Sequence, residues 1–347
     1  MLNYSIDNNS NKYTRHRNNY YDNLIIKISK FYNNDNILLL TSGQHANMSI
    51  INVLLLKYIN QKINIFYYNY SYYESKLLLS FFKNSYNINL CELDNNDDIL
   101  LLLSNFKDDI NILFIESCSN PYGYVFNFDN IKIIKSICKK IYIICDNTWL
   151  THKIFNPLDY NIDIITSSLT KHYSINKVIC GFCLINNNKE LYNLLDLYIR
   201  MSGIHISIYS IKILIKNIQF IDSIVNKLSN MTIKIIKYLK NKNIIICHPM
   251  LENHINYNLS QKYFKDKLHP STFLIGFEKQ INDIKKINLN ILKIEVSFCS
   301  YITKIDPLIF YKDNISYLRL SIGCNDSYIT IINGINELIS VLNNIDL

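Results

Sequence analysis

The stretch Ile141–Lys171, IYIICDNTWLTHKIFNPLDYNIDIITSSLTK, decides the fold that we predict for this chain. It contains two short, β-branched apolar runs, Ile141–Cys145 and Ile162–Ile165, which are typical of strands buried on both faces of a sheet. Polar residues follow each run, Asp146-Asn147-Thr148 after the first and Ser167–Lys171 after the second. Open α/β sheets bind ligands at the ends of their strands. The stretch therefore predicts an α/β sheet with a ligand site at one edge.

The same alternation of apolar and amphipathic segments extends along the chain and predicts βαβ units in a largely parallel sheet. Further strands are expected at Ile37–Leu40, Ile63–Tyr67, Ile112–Ile115 and Val178–Ile185, and helices at Asn23–Tyr32, Ala46–Tyr58, Ser75–Lys83, Asn130–Lys140 and Lys189–Arg200. A 3.6-residue period without Pro or Gly predicts one or two long helices over Ser207–Leu239. The last hundred residues predict strands at Phe273–Phe277, Ile294–Phe298 and Tyr317–Ser321 and a helix at Tyr328–Leu342.

We therefore predict an α/β fold with helices on both faces of a mostly parallel central sheet and a smaller C-terminal α/β domain. The predicted domains are 1–205, with a short N-terminal arm, and 206–347. A chain of 347 residues is long enough for one large domain or two moderate ones.

Composition excludes several classes of protein. Only 18% of the residues are charged, which excludes a solvated disordered chain. No run reaches the roughly 18–20 apolar residues that span a bilayer, and the polar first nineteen residues lack the apolar core of a signal peptide. The nine cysteines form no CxxC pair, so we expect reduced thiols, no metal site, no membrane association and a cytoplasmic location.

The net charge of +8 is weak evidence for a nucleic-acid partner. Asn, Ile, Lys and Tyr dominate, whereas Ala46 is the single alanine and arginine occurs four times. This bias is typical of an AT-rich gene, so the lysine surplus reflects codon usage more than phosphate binding. No nucleic-acid-binding motif accompanies it. Glycines and arginines that persist under such a bias are expected to have a physical role.

Three segments around the predicted sheet edge could hold an anionic cofactor, and each also has an ordinary structural interpretation. Thr41-Ser42-Gly43-Gln44 could bind an anion at a helix N-terminus or form a simple turn. Asp146 could pair with a cationic ring nitrogen or cap a helix. Lys171, flanked by hydroxyls in Ser168-Leu169-Thr170-Lys171, could form a Schiff base or be a surface lysine.

Three further segments are open to two interpretations in the same way. Glu116-Ser117-Cys118-Ser119-Asn120-Pro121 ends a predicted strand and could be turn chemistry alone. Tyr13-Thr14-Arg15 precedes the first helix and could be a disordered tail. Arg319 in Arg319-Leu320-Ser321-Ile322-Gly323 could bind a carboxylate or form a surface salt bridge.

The order and spacing of these segments resemble the Cys/Met-metabolism family of pyridoxal-phosphate (PLP) enzymes, which includes cystathionine γ-synthase, cystathionine β-lyase, cystathionine γ-lyase and the homoserine-ester sulfhydrylases. The resemblance covers Tyr13 to Leu342. It begins with Tyr13-Thr14-Arg15-His16-Arg17-Asn18, which is similar to the family's Y-[ST]-R-x-x-N. Its most specific part is Ser168-x-Thr170-Lys171, placed 25 residues after Asp146.

The resemblance implies a fold type I PLP enzyme and a role for each matching residue. Lys171 resembles the lysine that holds the cofactor covalently and later moves protons, and Asp146 resembles the acid that keeps the pyridine nitrogen protonated. The implied cofactor-binding residues are Ser42, Gly43, Gln44, Tyr73, Asn120, Asp146, Ser168, Thr170, Lys171, Tyr13 and Arg15, and the implied substrate-binding residues are Arg319, Ser297 and Asn120. Tyr73 would stack on the ring and act in catalysis beside Lys171, with Tyr72 as the second choice.

In this family the Y-x-R residues reach the phosphate of the neighbouring subunit, so Tyr13 and Arg15 imply a homodimer with shared sites and leave a homotetramer open. Four motifs depart from the family pattern. Gln44 replaces the usual Met, and Ser174–Lys177 stands in place of G-H-S-D in a loop that is one residue shorter than in the family. Ser297-Phe298-Cys299-Ser300 replaces S-L-G-G, and Ile211–Ile218 lacks the expected arginine.

The implied function is trans-sulfuration in methionine and cysteine metabolism on an amino-acid substrate. Tyr73-Glu74-Ser75 and Val296-Ser297-Phe298 look more like cystathionine β-lyases, which produce homocysteine, pyruvate and ammonia. A γ-synthase or homoserine-ester sulfhydrylase remains the alternative. Two alternatives come from other classes of function: a catalytically inert interaction protein and a nucleic-acid-binding protein.

Overall fold

The computed structural model describes residues 17–96 and 98–344, and these form two β-sheets with helices packed against them. The strands are β1 (Ile37–Leu40), β2 (Ile63–Tyr68), β3 (Ile88–Leu93), β4 (Ile110–Glu116), β5 (Ile141–Asp146), β6 (Ile164–Ser168), β7 (Gly181–Ile185), β8 (Ile245–Cys247), β9 (Thr272–Phe277), β10 (Lys293–Ile294), β11 (Lys304–Lys312) and β12 (Ile315–Ser321). The helices are α1 (Asn19–Tyr32), α2 (Gly43–Lys57), α3 (Tyr73–Ser85), α4 (Asp98–Leu103), α5 (Asn130–Ile137), α6 (Thr151–Ile154), α7 (Lys189–Met201), α8 (Ile208–Ile218), α9 (Ile221–Asn241), α10 (Tyr257–Tyr263) and α11 (Tyr328–Asn344).

The first sheet has the strand order β1-β7-β6-β5-β4-β2-β3, and only β7 runs against the others. The mostly parallel central sheet is therefore confirmed. Alternate side chains of β1 enter opposite cores, Leu38 on one face and Leu39 on the other. Burying each such side chain stabilises the fold by about 1.5–3 kcal/mol, which explains why these strands are continuously apolar.

The second sheet has the order β10-β11-β12-β9-β8 and forms the smaller C-terminal layer. The predicted strand at Ile294–Phe298 is wrong, because β10 stops at Ile294 and the backbone then turns. Ser297 and Cys299 have φ angles of 81° and 59°, a left-handed conformation that a strand cannot continue. Strand β3 was missed because it is an edge strand with Asn89 and Glu92 exposed.

The predicted long helical region divides into α8 and α9. The buried residues of α8 and the start of α9, down to Val225, belong to a core of the first sheet, whereas those from Leu228 onward pack against the second sheet. The passage between the two cores therefore lies within α9. The predicted boundary between 205 and 206 stays a prediction. Among the described residues no helix combines the length and apolarity that a bilayer crossing requires.

Strand β7 fixes the loop that follows β1. Because β7 is antiparallel, its first residue, Gly181, lies at the edge where β1 ends, and it pairs with Leu40. A Cβ atom on Gly181 would lie 2.3 Å from the carbonyl oxygen of Ser42 and 2.6 Å from the nitrogen of Gly43. Only glycine allows this approach, and it holds the start of α2 against the sheet.

Candidate active site

The carboxyl ends of β1, β4, β5 and β6 meet at one edge of the first sheet, and the turn after β10 and strand β12 approach the same edge from the second sheet. This arrangement connects Lys171 with Ser297 and Arg319 with Asn120. Gly43 and Asp146 contact further parts of the same edge through Ser168 and Thr148. Tyr13 and Arg15 lie outside the described residues.

The N-terminus of α2 provides backbone donors beside Ser168. Ser42 caps the helix, and its Oγ accepts a hydrogen bond of 2.9 Å from the nitrogen of His45. A Cβ on Gly43 would lie 2.7 Å from that of Ser168, so the first-turn amides stand directly against the end of β6. Such amides have no intrahelical partners and favour an anion. Ser168 offers a hydroxyl that bonds to no residue described in the structure.

Thr170 was expected to contact the same anion, but its hydroxyl bonds to the backbone of Cys180. Its Oγ1 accepts a hydrogen bond of 3.0 Å from the nitrogen of Cys180 and donates one of 3.2 Å to the oxygen of that residue. Thr170 therefore ties the Lys171 loop to the segment that leads into β7, and its place on the cofactor stays a prediction.

Asp146 at the end of β5 is half-buried and held on both oxygens. Its Oδ2 accepts from Nδ2 of Asn47 at 2.9 Å, and its Oδ1 accepts from the nitrogen of Thr148 at 2.9 Å. Burial raises the pKa of Asp146, and these two hydrogen bonds oppose the rise. The carboxylate is therefore rigid and poorly solvated, which suits a pairing with a buried cation.

Lys171 extends toward the second sheet. Its Nζ donates a hydrogen bond of 2.7 Å to Oγ of Ser297 and lies 5.0 Å from the ring centroid of Phe298. Burial lowers the pKa of Lys171; Cys299 opposes that shift, while the charge of Arg319 adds to it. A lysine with a lowered pKa supplies more neutral amine, the form that acts as a nucleophile or base.

The loop after Lys171, which departs from the family pattern, supports Ser297 through Asn176. Nδ2 of Asn176 donates to the oxygen of Phe298 at 2.9 Å, and Oγ of Ser297 donates to Oδ1 of Asn176 at 3.4 Å. Ile175 and Asn176 have φ angles of 55° and 59°. The shortened loop thus folds back on the turn that carries Ser297.

Arg319 on β12 is almost completely buried and contacts two polar residues. Its Nη1 donates to Oδ1 of Asn120 at 3.5 Å, and its Nη2 forms a salt bridge with Asp306. Burial lowers the pKa of Arg319 to about 10, with Tyr72 opposing the shift, so the guanidinium is charged at neutral pH. The expected carboxylate clamp therefore lies next to Asn120, at the end of β4.

The aromatic loop before α3 lies against the same edge. The backbone nitrogen of Tyr72 donates to Oε1 of Glu116, and the side chain of Tyr72 interacts electrostatically with Arg319. Tyr73 begins α3, and its side chain is 65% exposed. The side chain of Gln44 binds this loop through the oxygen of Glu74 at 3.1 Å, so the residue that replaces the family's Met connects two parts of the site.

Sequence reasoning missed two residues at the site, Asn47 and Asp306, and it named Glu116 only as the start of a segment that could be a turn. Asn47 follows Gly43 by one helical turn and therefore faces the same sheet edge, a signal that the sequence carried. Glu116 pairs in register with Asp146, and its burial together with that charge raises its pKa to about 8. Asp306 gave no sequence signal, because its contact with Arg319 depends on strand register.

The profile of the Cys/Met metabolism PLP-dependent enzyme family matches residues 4–345. The chain belongs to this family. The resemblance noted in the sequence is thereby confirmed, and PLP is the cofactor of the family.

Curated relatives match about half of this chain. Cystathionine beta-lyase of Schizosaccharomyces pombe is 27% identical over 179 residues, which are 51% of this chain and 46% of the relative. L-alanine/L-glutamate racemase of Wolbachia pipientis is 25% identical over 54% of this chain and 45% of its own length. The matched region thus spans less than half the length of either relative.

Solved structures share the fold over nearly the whole chain. Yeast cystathionine gamma-lyase superposes with a TM-score of 0.81 at 18% identity, covering 96% of this chain and 88% of that one. The O-acetylhomoserine (thiol)-lyase of Campylobacter jejuni, which carries a pyridoxyl-lysine-phosphate, superposes with a TM-score of 0.79 at 19% identity, covering 94% and 87%. The predicted fold type I architecture is confirmed.

The residues of this chain fit PLP. The close approach of Gly43 to Ser168, which a Cβ on Gly43 would prevent, sets the first-turn amides of α2 beside the end of β6, and such amides suit a phosphate. Asp146 offers a half-buried, hydrogen-bonded carboxylate for a cationic ring nitrogen, and Lys171 offers an amine with a lowered pKa.

Proposed function

We propose that this protein is a PLP-dependent trans-sulfuration enzyme that acts as a cystathionine β-lyase. It would cleave the Cβ–S bond of cystathionine and yield homocysteine, pyruvate and ammonia. The observation that carries the proposal is the contact of Lys171 with Ser297 beside the Arg319–Asn120 pair. In this proposal Lys171 is the base, and it would lie next to the pair that holds the α-carboxylate.

PLP, when bound, would withdraw electrons from the substrate Cα. Ser168 and the amides of Ser42, Gly43 and Gln44 would hold its phosphate, and Asp146 would keep its ring nitrogen protonated. The remaining steps belong to side chains of this chain, and Thr170 would steady the Lys171 loop.

We assign the ring-stacking role to Tyr72 in place of Tyr73. Both tyrosines are exposed, Tyr72 at 48% and Tyr73 at 65%. The backbone of Tyr72 is anchored on Glu116, however, and its side chain is close enough to Arg319 to raise the pKa of that guanidinium. Both tyrosines remain open to test by substitution with phenylalanine.

Lys171 would take the Cα proton as a neutral amine and Ser297 would then accept a hydrogen bond from the ammonium that results. Arg319 and Asn120 would orient the α-carboxylate, so that the Cα–H bond points at Lys171. The departing sulfur would take up the proton that Lys171 removed from Cα, which gives homocysteine, and water would complete the release of pyruvate and ammonia. One proton acceptor at Cα is sufficient for this β-elimination.

The residues around Ser297 favour β- over γ-chemistry. γ-Replacement needs a further proton transfer at Cβ, yet the immediate neighbours of Ser297 are Val296 and Phe298, which have no titratable group. The nearest acid in the sequence, Glu295, forms a salt bridge of 2.7 Å with Lys304.

The test supplies cystathionine to the purified protein with PLP and measures pyruvate and homocysteine. Lys171→Ala should abolish both products. Lys177 is an exposed lysine six residues away, and Lys177→Ala should leave both products unchanged. A parallel reaction with cysteine and an O-acylhomoserine tests the alternative γ-synthase or sulfhydrylase activity. Cystathionine formation without pyruvate would overturn the proposal.

Racemisation is the second activity to measure, because the Wolbachia relative is named a racemase. A racemase also removes a Cα proton but returns it, so loss of optical rotation from L-alanine without pyruvate from cystathionine would favour that activity.

We also propose a cytoplasmic homodimer in which Tyr13 and Arg15 of each subunit reach the phosphate of the other. The family resemblance of the Y-x-R motif supports this assembly. A homotetramer is the alternative, and sedimentation of the purified protein distinguishes the two.

A further inference from the structure

A bulge in β11 sets one acidic side chain against Arg319. Ile305 pairs with Leu320 and Ile309 pairs with Leu318, so the three residues between them on β11 oppose Arg319 alone on β12. These three residues are Asp306, Pro307 and Leu308. A bulge redirects side chains and interrupts the ladder, which also accommodates a proline.

Asp306 is buried, at 3% exposure, and both of its oxygens are used. Oδ2 forms the salt bridge with Nη2 of Arg319, and Oδ1 accepts a hydrogen bond of 2.9 Å from the nitrogen of Leu308. Nη1 of Arg319 reaches Asn120, while its Nε is buried without a partner among the described residues. The guanidinium is therefore held on its two terminal nitrogens in one orientation.

We propose that Asp306 is a positioning residue that orders Arg319 for the α-carboxylate of an amino-acid substrate. The inference rests on the proposed function, in which Arg319 is the carboxylate clamp. Asp306 lies on β11, and the Asn120 contact of Arg319 lies across from it at the end of β4, so the ion pair steers Nη1 toward the sheet edge where Lys171 stands.

The benefit comes from preorganisation. An arginine side chain has many rotamers, and immobilising such a side chain on binding weakens affinity by up to about tenfold. The bulge brings Asp306 to Arg319 when the protein folds, so the arginine side chain is ordered before the substrate binds. A carboxylate then meets a guanidinium that is already in place. The negative charge of Asp306 also offsets one of the two positive charges, Arg319 and Lys171, that are buried at this edge.

The test compares Asp306→Asn with Asp163→Asn. Asp163 is a matched control, because it too pairs with a cation, Lys135 at 2.6 Å, and accepts a hydrogen bond of 2.9 Å from a backbone nitrogen, that of Ile143. Dissociation constants for L-alanine and for ethylamine, which lacks the carboxylate, are measured from the absorbance change of the PLP-loaded protein.

We expect Asp306→Asn to weaken L-alanine binding by about tenfold, the upper end of the ordering cost, and to leave ethylamine binding unchanged. Asp163→Asn should change neither. Asp306→Glu, which keeps the charge, should recover part of the preference for L-alanine.

Unchanged or tighter L-alanine binding in a folded Asp306→Asn protein overturns the inference, as does a wild-type protein with no preference for L-alanine over ethylamine. If the preference depends on Asp306 but cystathionine yields no pyruvate, the inference stands and the β-lyase proposal fails. Should Asp306→Asn not fold, the decision falls to Asp306→Glu: a wild-type preference in that variant overturns the inference, and a reduced one supports it.

Discussion

Replacing Asn47 with leucine tests how the acid at the end of β5 is kept ionised. Asn47 is buried on α2, donates to Oδ2 of Asp146 at 2.9 Å and accepts a hydrogen bond from the hydroxyl of Thr166. Leucine has a similar volume but neither polar group. A hydrogen bond to a charged group contributes about 1.5–3 kcal/mol, so its loss should raise the pKa of Asp146 further. The same energy should weaken PLP binding by about 10- to 100-fold.

The pH dependence of stability gives a second measure of the same effect. Burial already raises the pKa of Asp146 above 3.8, so in the cofactor-free protein its contribution to stability falls as pH rises above that value. Asn47→Leu should steepen this fall, with a larger loss in the urea midpoint at pH 8 than at pH 5.

The control is Asn52→Leu on the same helix. Asn52 also donates and accepts a hydrogen bond, with Tyr198 at 2.8 Å and Tyr86 at 2.6 Å, but it lies away from the site. The Asn52→Leu variant should be less stable than the wild type but bind PLP with the same affinity. That affinity is measured by absorbance titration of the cofactor-free protein. PLP affinity in Asn47→Leu that equals the wild-type value would refute the reasoning about Asp146.

Three further outcomes are expected. Glu116→Gln should remove the fall in stability of the cofactor-free protein between about pH 4.5 and about pH 8, because the buried acid keeps its proton up to about pH 8; an unchanged series of urea midpoints would contradict this. Gly43→Ala should lower the free energy of unfolding by about 1–3 kcal/mol and weaken PLP binding, because its Cβ would lie 2.7 Å from that of Ser168; wild-type melting and PLP affinity together would show that the cradle is not tight. Arg15→Ala and Lys171→Ala should each lose cystathionine cleavage, and mixing the refolded variants should restore part of it if sites are shared, whereas no recovery above the separate variants counts against sharing.

Much of the fold was predictable because the strands of the first sheet are buried on both faces. Ile37–Leu40 is apolar at every position and was predicted with the bounds that the structure has. Strand β3 was not, because an edge strand exposes alternate residues and so resembles a loop in composition. The turn at Ser297 was also missed, since its positive φ depends on support from Asn176 and not on a local glycine.

The candidate site was predictable where strand ends are marked by short motifs. Lys171 and Asp146 were identified in this way, and the structure brings Lys171 to Ser297 and Arg319 to Asn120. Asp306 was not predictable, because a bulge sets its register with β12. Nor could the sequence order Tyr72 and Tyr73, because the contacts of Tyr72 with Glu116 and Arg319 join residues that are far apart in the chain.

The close approach of Gly181 to Ser42 limits how this gene can change. Every single-nucleotide substitution that alters a glycine codon introduces a residue with a Cβ or stops translation. At Gly181 such an atom would lie 2.3 Å from a backbone oxygen that cannot rotate away. Any replacement of Gly181 would therefore be removed by selection because its side chain clashes, even though mutation in this gene favours AT-rich codons. A saturation library screened for function should recover glycine alone at Gly181, while exposed lysines of the same gene accept many replacements.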